Sequence, residues 1–285
     1  MLNTYTFTAS WLIKTKKEWA DGVKNFEKLG FRVLNRKFLA KLPSTREKVS
    51  ELHRAFSDKN VDLVLARRGG YSSMKMLPLV DFGLIKRNPK LLAGFSDIST
   101  LLNTIYEKTG MVTLHSPMIL NFAKPAKFSV KSFLNAINGF PEKNLFKGAP
   151  VHVYNQGNSV RGVLKGGNLI TLTALIGTQW ETKTDGSVLF LEDVDEKLHE
   201  VDRCLMNWIF AGKLNKIKAL ILGDFRNVNN REVYKVLKEQ MKIKIPVVHC
   251  PYIGHAKNKI TLPVGAMVEL DTHKKQLKII TKGGL

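Results

Sequence analysis

Cysteine is scarce in this chain of 285 residues: Cys204 and Cys250 have neither metal-ligand nor redox spacing. That excludes a disulfide framework and fits a reducing compartment, with both thiols read as core residues. No apolar run approaches the roughly 20 residues a membrane-spanning helix requires. The opening Met1-Leu2-Asn3-Thr4-Tyr5 lacks the charged stretch and apolar run of a leader. A soluble cytoplasmic protein with no membrane partner is therefore expected, although a periplasmic or secreted form with its leader removed would read the same. Acidic residues are also few, 24 against 45 Lys and Arg, for a formal net charge of +21. Such a charge attracts polyanions and acidic small substrates. The basic residues are spread along the chain, with no zinc finger, RNA-recognition aromatic signature or basic heptad helix. Nucleic acid is accordingly not an expected partner, and the charge reads as a solvated basic surface suited to an anionic substrate. No His-Glu-x-x-His helix, phosphate-binding loop or dinucleotide fingerprint occurs, so neither metal nor cofactor is expected.

What is present is a globular α/β pattern, 44% hydrophobic, long enough for two modest domains. In the first half short β runs alternate with helical periodicity. Trp19, Val23, Phe26 and Leu29 precede Phe31 to Leu34, and a capping box at Ser44 and Glu47 opens a helix carrying Val49, Leu52 and Phe56. Val61 to Ala66, Leu91 to Ala93 and Met111 to Leu114 are further β runs, the last two separated by a helix with Ile98, Leu101, Leu102 and Ile105 on one face. This alternation predicts a mostly parallel, flavodoxin-like sheet flanked by helices over residues 1–138. Residues 139–159, rich in Asn, Gly, Pro and Lys, read as a linker. Residues 160–285 read as a C-terminal α/β domain with a β-rich core, with runs at Val160 to Leu164, Val188 to Leu191, Ala219 to Leu222, Val247-Val248 and Met267 to Leu270.

Functional groups in such sheets gather at the carboxyl ends of strands. Gly94-Phe95-Ser96-Asp97 stands between a β run and a helix, which places Ser96 on a sharp turn with the helix amides aimed at any negative charge beside it. Ser or Asp here would also serve as a simple helix cap, and Ile98 stands where a Gly-x-Ser-x-Gly elbow has its second glycine. Gly69-Gly70 ends another strand and would let a backbone amide approach a reacting group, or would simply make a tight turn. Glu192 ends an apolar strand, placed to orient a histidine, whereas its acidic neighbours suit a solvated helix start. His255 follows Gly254 in a loop, where a general base or an exposed side chain would both fit. His115, after a strand, would support the site from behind.

Together the segments resemble the LD-carboxypeptidase family of serine peptidases (peptidase family S66), which includes the murein tetrapeptide carboxypeptidases and the microcin C immunity peptidases. The likeness runs in order through Leu52 to Asp58, Arg68-Gly69-Gly70-Tyr71, Gly94 to Ser99, Lys165-Gly166-Gly167-Asn168-Leu169, Leu191-Glu192-Asp193 with Glu196, Asp202 and Arg203, and Gly254-His255 followed by Thr261-Leu262-Pro263-Val264-Gly265. The resemblance implies a catalytic triad of Ser96, His255 and Glu192. It also implies an oxyanion hole from the Asp97 amide with Gly69 or Gly70, a peptidoglycan-derived tetrapeptide substrate, and a homodimer. Arg68, Tyr71, His115 and Asn168 are the candidate substrate-binding residues. The chain departs from the family at Phe7 to Ser10 and at Ser116, both on the walls of the cleft. Two alternatives stand beside peptidoglycan hydrolysis: a microcin-type peptidase cleaving aminoacyl-nucleotide analogues, and a non-catalytic binder of peptidoglycan or nucleic acid.

Overall fold

The computed structural model describes residues 1–281, and thirteen strands among them form two sheets of six and seven. The first half runs β1 (Leu2–Phe7), α1 (Lys16–Glu27), β2 (Phe31–Val33), α2 (Thr45–Ser57), β3 (Leu63–Ala66), α3 (Phe82–Arg87), β4 (Leu91–Gly94), α4 (Ser99–Thr109), β5 (Thr113–His115), α5 (Ile119–Phe122) and α6 (Lys127–Ile137). β1 to β5 are parallel in the order β5-β4-β3-β1-β2. Helices cover both faces, as a parallel sheet requires, because its two sides are equally apolar. On one face Phe26 stacks on Phe31 with ring centroids 4.3 Å apart, against Phe122 and Phe133. α2, held by the expected Ser44–Glu47 capping box, buries Val49, Leu52 and Phe56 in a second cluster.

The remainder runs β6 (His152–Asn155), β7 (Val160–Asn168), α7 (Leu169–Thr173), β8 (Val188–Asp193), α8 (Leu198–Phe210), β9 (Ala219–Phe225), α9 (Asn230–Gln240), β10 (Val247–His249), β11 (Leu262–Val264), β12 (Met267–Asp271) and β13 (Gln276–Thr281). The second sheet has the order β13-β12-β7-β8-β9-β10-β6. Its middle strands β7 to β10 are parallel, and antiparallel strands close both edges.

Two features depart from the boundaries read in the sequence. Segment 139–159 contains β6, an edge strand paired with β10, so part of the expected linker belongs to the second sheet. β11 leaves the second half and pairs antiparallel with β5, completing the first sheet. The halves are further joined where α4 meets β7: Asn103 Nδ2 donates to the Gly166 carbonyl at 2.9 Å, the Gly166 amide returns a bond to Asn103 Oδ1 at 3.1 Å, and Lys165 Nζ pairs with Glu107 at 2.6 Å. The helix leaving Ser96 is thereby fixed against the strand beside the one that carries Glu192. No helix among the described residues is long and apolar enough to cross a membrane.

Candidate active site

β4 is buried from Leu92 onward and delivers Phe95 in an extended conformation, after which the chain reverses. Ser96 has φ 63°, the left-handed region that a side chain enters at a cost of about 1 kcal/mol or more. The 3-10 turn Ser96–Ile98 then leads directly into α4. The Asp97 side chain turns away from the serine into the first domain, accepting bonds at Oδ2 from the Ser10 hydroxyl and, at 2.9 Å, from the Ser73 amide. Its carbonyl accepts the Ser73 and Thr100 hydroxyls. Burial raises the Asp97 pKa, and the Ser10 and Ser73 hydrogen bonds oppose the rise. The strained turn is thus held by buried polar bonds.

Gly69 lies against this turn. A Cβ at that position would come within 2.9 Å of Ser96 Cβ and 3.0 Å of its Oγ, so only glycine lets this backbone pass so close to the hydroxyl. Gly70 has φ 139°, and the Trp11 side chain covers the space where its Cβ would stand. Arg68 donates to the Leu12 carbonyl at 2.7 Å and lies 5.6 Å from the centre of the Trp11 ring. Tyr71 is exposed, with Lys75 Nζ 5.1 Å from its ring centre. Arg68 and Tyr71 therefore border the glycine pair.

The other half of the site comes from the second sheet. Glu192, at the end of β8, is 0% exposed, and its Oε2 lies 2.7 Å from His255 Nδ1. Gly254, at φ 103°, makes this approach possible, since a Cβ there would fall 2.4 Å from Glu192 Oε2. Burial pushes the Glu192 carboxyl up, but the imidazoles of His255 and His115 outweigh burial and hold it at about 2. An ionised carboxylate can only accept, so Nδ1 of His255 carries the shared proton and Nε2 is left to act as a base. The His255 ring lies 4.9 Å from the ring of Phe95, the residue before Ser96. A carboxylate-bonded imidazole thus packs on the residue that leads into the half-buried Ser96 turn, and nucleophilic acyl transfer draws on groups of these types.

Two of the expected substrate contacts, His115 and Asn168, are buried. His115 is buried beneath the carboxylate, its Nε2 3.9 Å from Glu192 Oε1, too far for a direct hydrogen bond. Asn168 caps α7, accepting from the Thr171 amide and donating to Asp193 Oδ1 at 2.9 Å, while its own amide donates to Ser99 Oγ. Both ends of its side chain are committed within the protein, and it braces the Glu192 strand against the first turn of α4. Asp193 also accepts from the amides of Ile170 and Val194. Burial and the neighbouring Glu192 charge raise it to about 7 against those three donors. Lys259 is one basic residue among 45 in the sequence, yet it stands buried against the Phe95 ring. Only its contacts distinguish it.

The family model for the LD-carboxypeptidase N-terminal domain matches residues 6–116, and the model for the C-terminal domain matches residues 161–270. A probable murein peptide carboxypeptidase of Bacillus subtilis (strain 168) is 32% identical over 255 residues, 84% of this chain and 79% of that protein. Among solved structures, the microcin C7 self-immunity protein, known from Escherichia coli, superposes with a TM-score of 0.89 at 25% identity, covering 99% of this chain and 96% of the other. Muramoyltetrapeptide carboxypeptidase from Oxalobacter formigenes gives a TM-score of 0.82 at 25% identity over 97% of both chains. With both domain models matched in order and the structural likeness spanning nearly the whole chain, this protein belongs to the LD-carboxypeptidase family of serine peptidases.

Proposed function

We propose that the protein is a serine LD-carboxypeptidase that releases terminal D-alanine from peptidoglycan stem tetrapeptides, with Ser96 as nucleophile. The observation that carries this reading is the 2.7 Å contact between His255 and Glu192, seated beside the left-handed Ser96 turn in a chain of this family. His255 Nε2 takes the Ser96 proton as Oγ attacks the amide carbonyl between the L-centre of the diamino acid and the terminal D-Ala. The Asp97 amide and an amide of Gly69 or Gly70 hold the oxyanion. The imidazolium, stabilised by Glu192, then gives its proton to the departing amine. Water, activated by the same imidazole, releases the tripeptide. A homodimer in the cytoplasm completes the reading, and the net charge of +21 suits a carboxylate-rich substrate. Purified protein with defined muropeptides is expected to release D-Ala, detected by mass. Intact tetrapeptides after prolonged incubation would refute the assignment.

A second substrate class draws support from one observation. Trp11 and Tyr71, 51% and 53% exposed, flank Gly70 and offer flat apolar surface on which a nucleobase could stack. Cleavage of an aminoacyl sulfamoyl nucleotide with no release of D-Ala would select that reading, with the same three catalytic groups.

The close approach at Gly69 yields a further expected result. In Gly69→Ala the new methyl must displace the Ser96 side chain or the glycine backbone. A fall in kcat of about 10²-fold, with KM little changed, is expected from a misplacement of this size. Steady-state kinetics on the tetrapeptide checks it, and an unchanged kcat would place the glycine pair away from the reacting centre.

A further inference from the structure

Lys259 is a buried cation beside the catalytic histidine with no anion of its own. It is 8% exposed, and the one hydrogen bond of its Nζ is to the Ala256 carbonyl. Among the described residues no carboxylate forms an ion pair with it. Burial draws its pKa down to about 8, against the pull of Glu192. Such a site is costly to maintain, because an ammonium taken out of water needs a counter-charge or several acceptors. The protein nonetheless fixes it firmly. The Lys259 amide donates to Ser129 Oγ on α6 at 2.8 Å, Ser129 Oγ donates to the Lys257 carbonyl, and the Thr261 amide donates to Ser132 Oγ.

Its position relative to the reaction is equally defined. Nζ lies 5.0 Å from the centre of the Phe95 ring, and the His255 ring packs on that same ring at 4.9 Å. Lys259 and His255 both line a cavity of about 300 Å³, bounded also by Pro117, Asn121 and Ser129. In the proposed reaction His255 protonates the departing amine, so the leaving residue lies on the His255 side. In a C-terminal residue the carboxylate is only one carbon removed from that nitrogen. A cation meant for it must therefore stand close to His255, on the side away from the glycine pair. Lys257 lines the same cavity but is exposed, and the exposed Arg226 is engaged with the His255 carbonyl. Lys259 is the buried cation that lines this cavity beside His255.

We propose that Lys259 binds the terminal carboxylate of the substrate and thereby restricts cleavage to the last residue of a peptide. This rests on the carboxypeptidase reading and adds the residue that makes it an exopeptidase. The ammonium receives from the substrate a direct ionic partner that none of the described carboxylates supplies, in a site dry enough for that charge to matter.

The test compares a stem tetrapeptide bearing a free terminal carboxylate with the same peptide amidated at its terminus, on wild type, Lys259→Met and Lys259→Arg. Wild type is expected to prefer the free acid by on the order of 10²-fold or more in kcat/KM. In Lys259→Met that preference should collapse through a loss on the acid, mostly in KM, that exceeds any loss on the amide. Lys259→Arg should restore part of it. Equal losses on both peptides in Lys259→Met would overturn the proposal, because a merely structural lysine would behave so. An unchanged preference would overturn it as well. A wild type inactive on both peptides would instead refute the carboxypeptidase reading itself. Thermal denaturation of each variant shows whether a lost activity reflects a lost fold.

Discussion

Ser96→Ala is expected to abolish release of D-Ala, with a fall in kcat on the order of 10⁶-fold, the scale seen when an acyl-transfer nucleophile is removed. The loss should be confined to chemistry. The oxyanion amides belong to the backbone, and the turn is held by Asp97, Ser73 and Ser10 rather than by the serine hydroxyl. Titration calorimetry of the variant with intact tetrapeptide should therefore give a Kd close to the wild-type substrate affinity. Ser96→Gly provides a second, opposite readout. It removes the same hydroxyl but also the side chain held at φ 63°, so it should be equally inactive yet melt about 1–2 °C higher. A non-catalytic binder would show neither loss, since its ligand would not be turned over in the first place.

Glu192→Gln is expected to lower kcat by about 10⁴-fold while leaving the fold intact. The carboxylate can only accept, and so dictates that His255 carries its proton on Nδ1. An amide can present its NH₂ to Nδ1, moving the proton to Nε2, where it can no longer accept from Ser96. The variant also loses the charge that stabilises the imidazolium. The pH dependence follows from the same group. With its pKa held at about 2, below its ordinary value, Glu192 contributes stability that is present in full above the unfolded-state value near 4.5. That contribution is lost as pH falls through 2. Between pH 5 and 9 the wild-type carboxylate stays ionised, so any acid limb of the activity profile in that range belongs to a different group. Kinetics of both proteins across this range checks the expectation, and a Glu192→Gln protein within tenfold of wild type would contradict it.

How far the sequence could be read depended on whether a signal was local. Ser96, Glu192 and Gly69-Gly70 stood out because each follows an apolar strand, and strand ends are recognisable from a few neighbours. α2 was legible through its capping box for the same reason. β1 was harder, because Leu2–Phe7 includes two threonines in the interior of a sheet. Their β-branched side chains suit a strand, while Thr6 Oγ1 donates to Asn35 Oδ1 and accepts from Arg67 Nε, partners distant in sequence. β6 was hidden as a short edge strand with weak alternation among turn-forming residues. The return of β11 to the first sheet is a long-range pairing that no local pattern encodes. At the site, the commitment of Asn168 to Asp193 arises when β7 pairs with β8, and the burial of Lys259 against Phe95 and Ser129 arises only when both halves of the chain meet.

The most direct test of Ser96 as nucleophile is to quench the enzyme during turnover of a stem tetrapeptide, digest it and locate any covalent acyl group by mass spectrometry. The tripeptide acyl group is expected as an ester on the peptide containing Ser96, with no adduct and no D-Ala from Ser96→Ala run alongside. An acyl group on any other residue, or D-Ala released by Ser96→Ala at the wild-type rate, would contradict the mechanism.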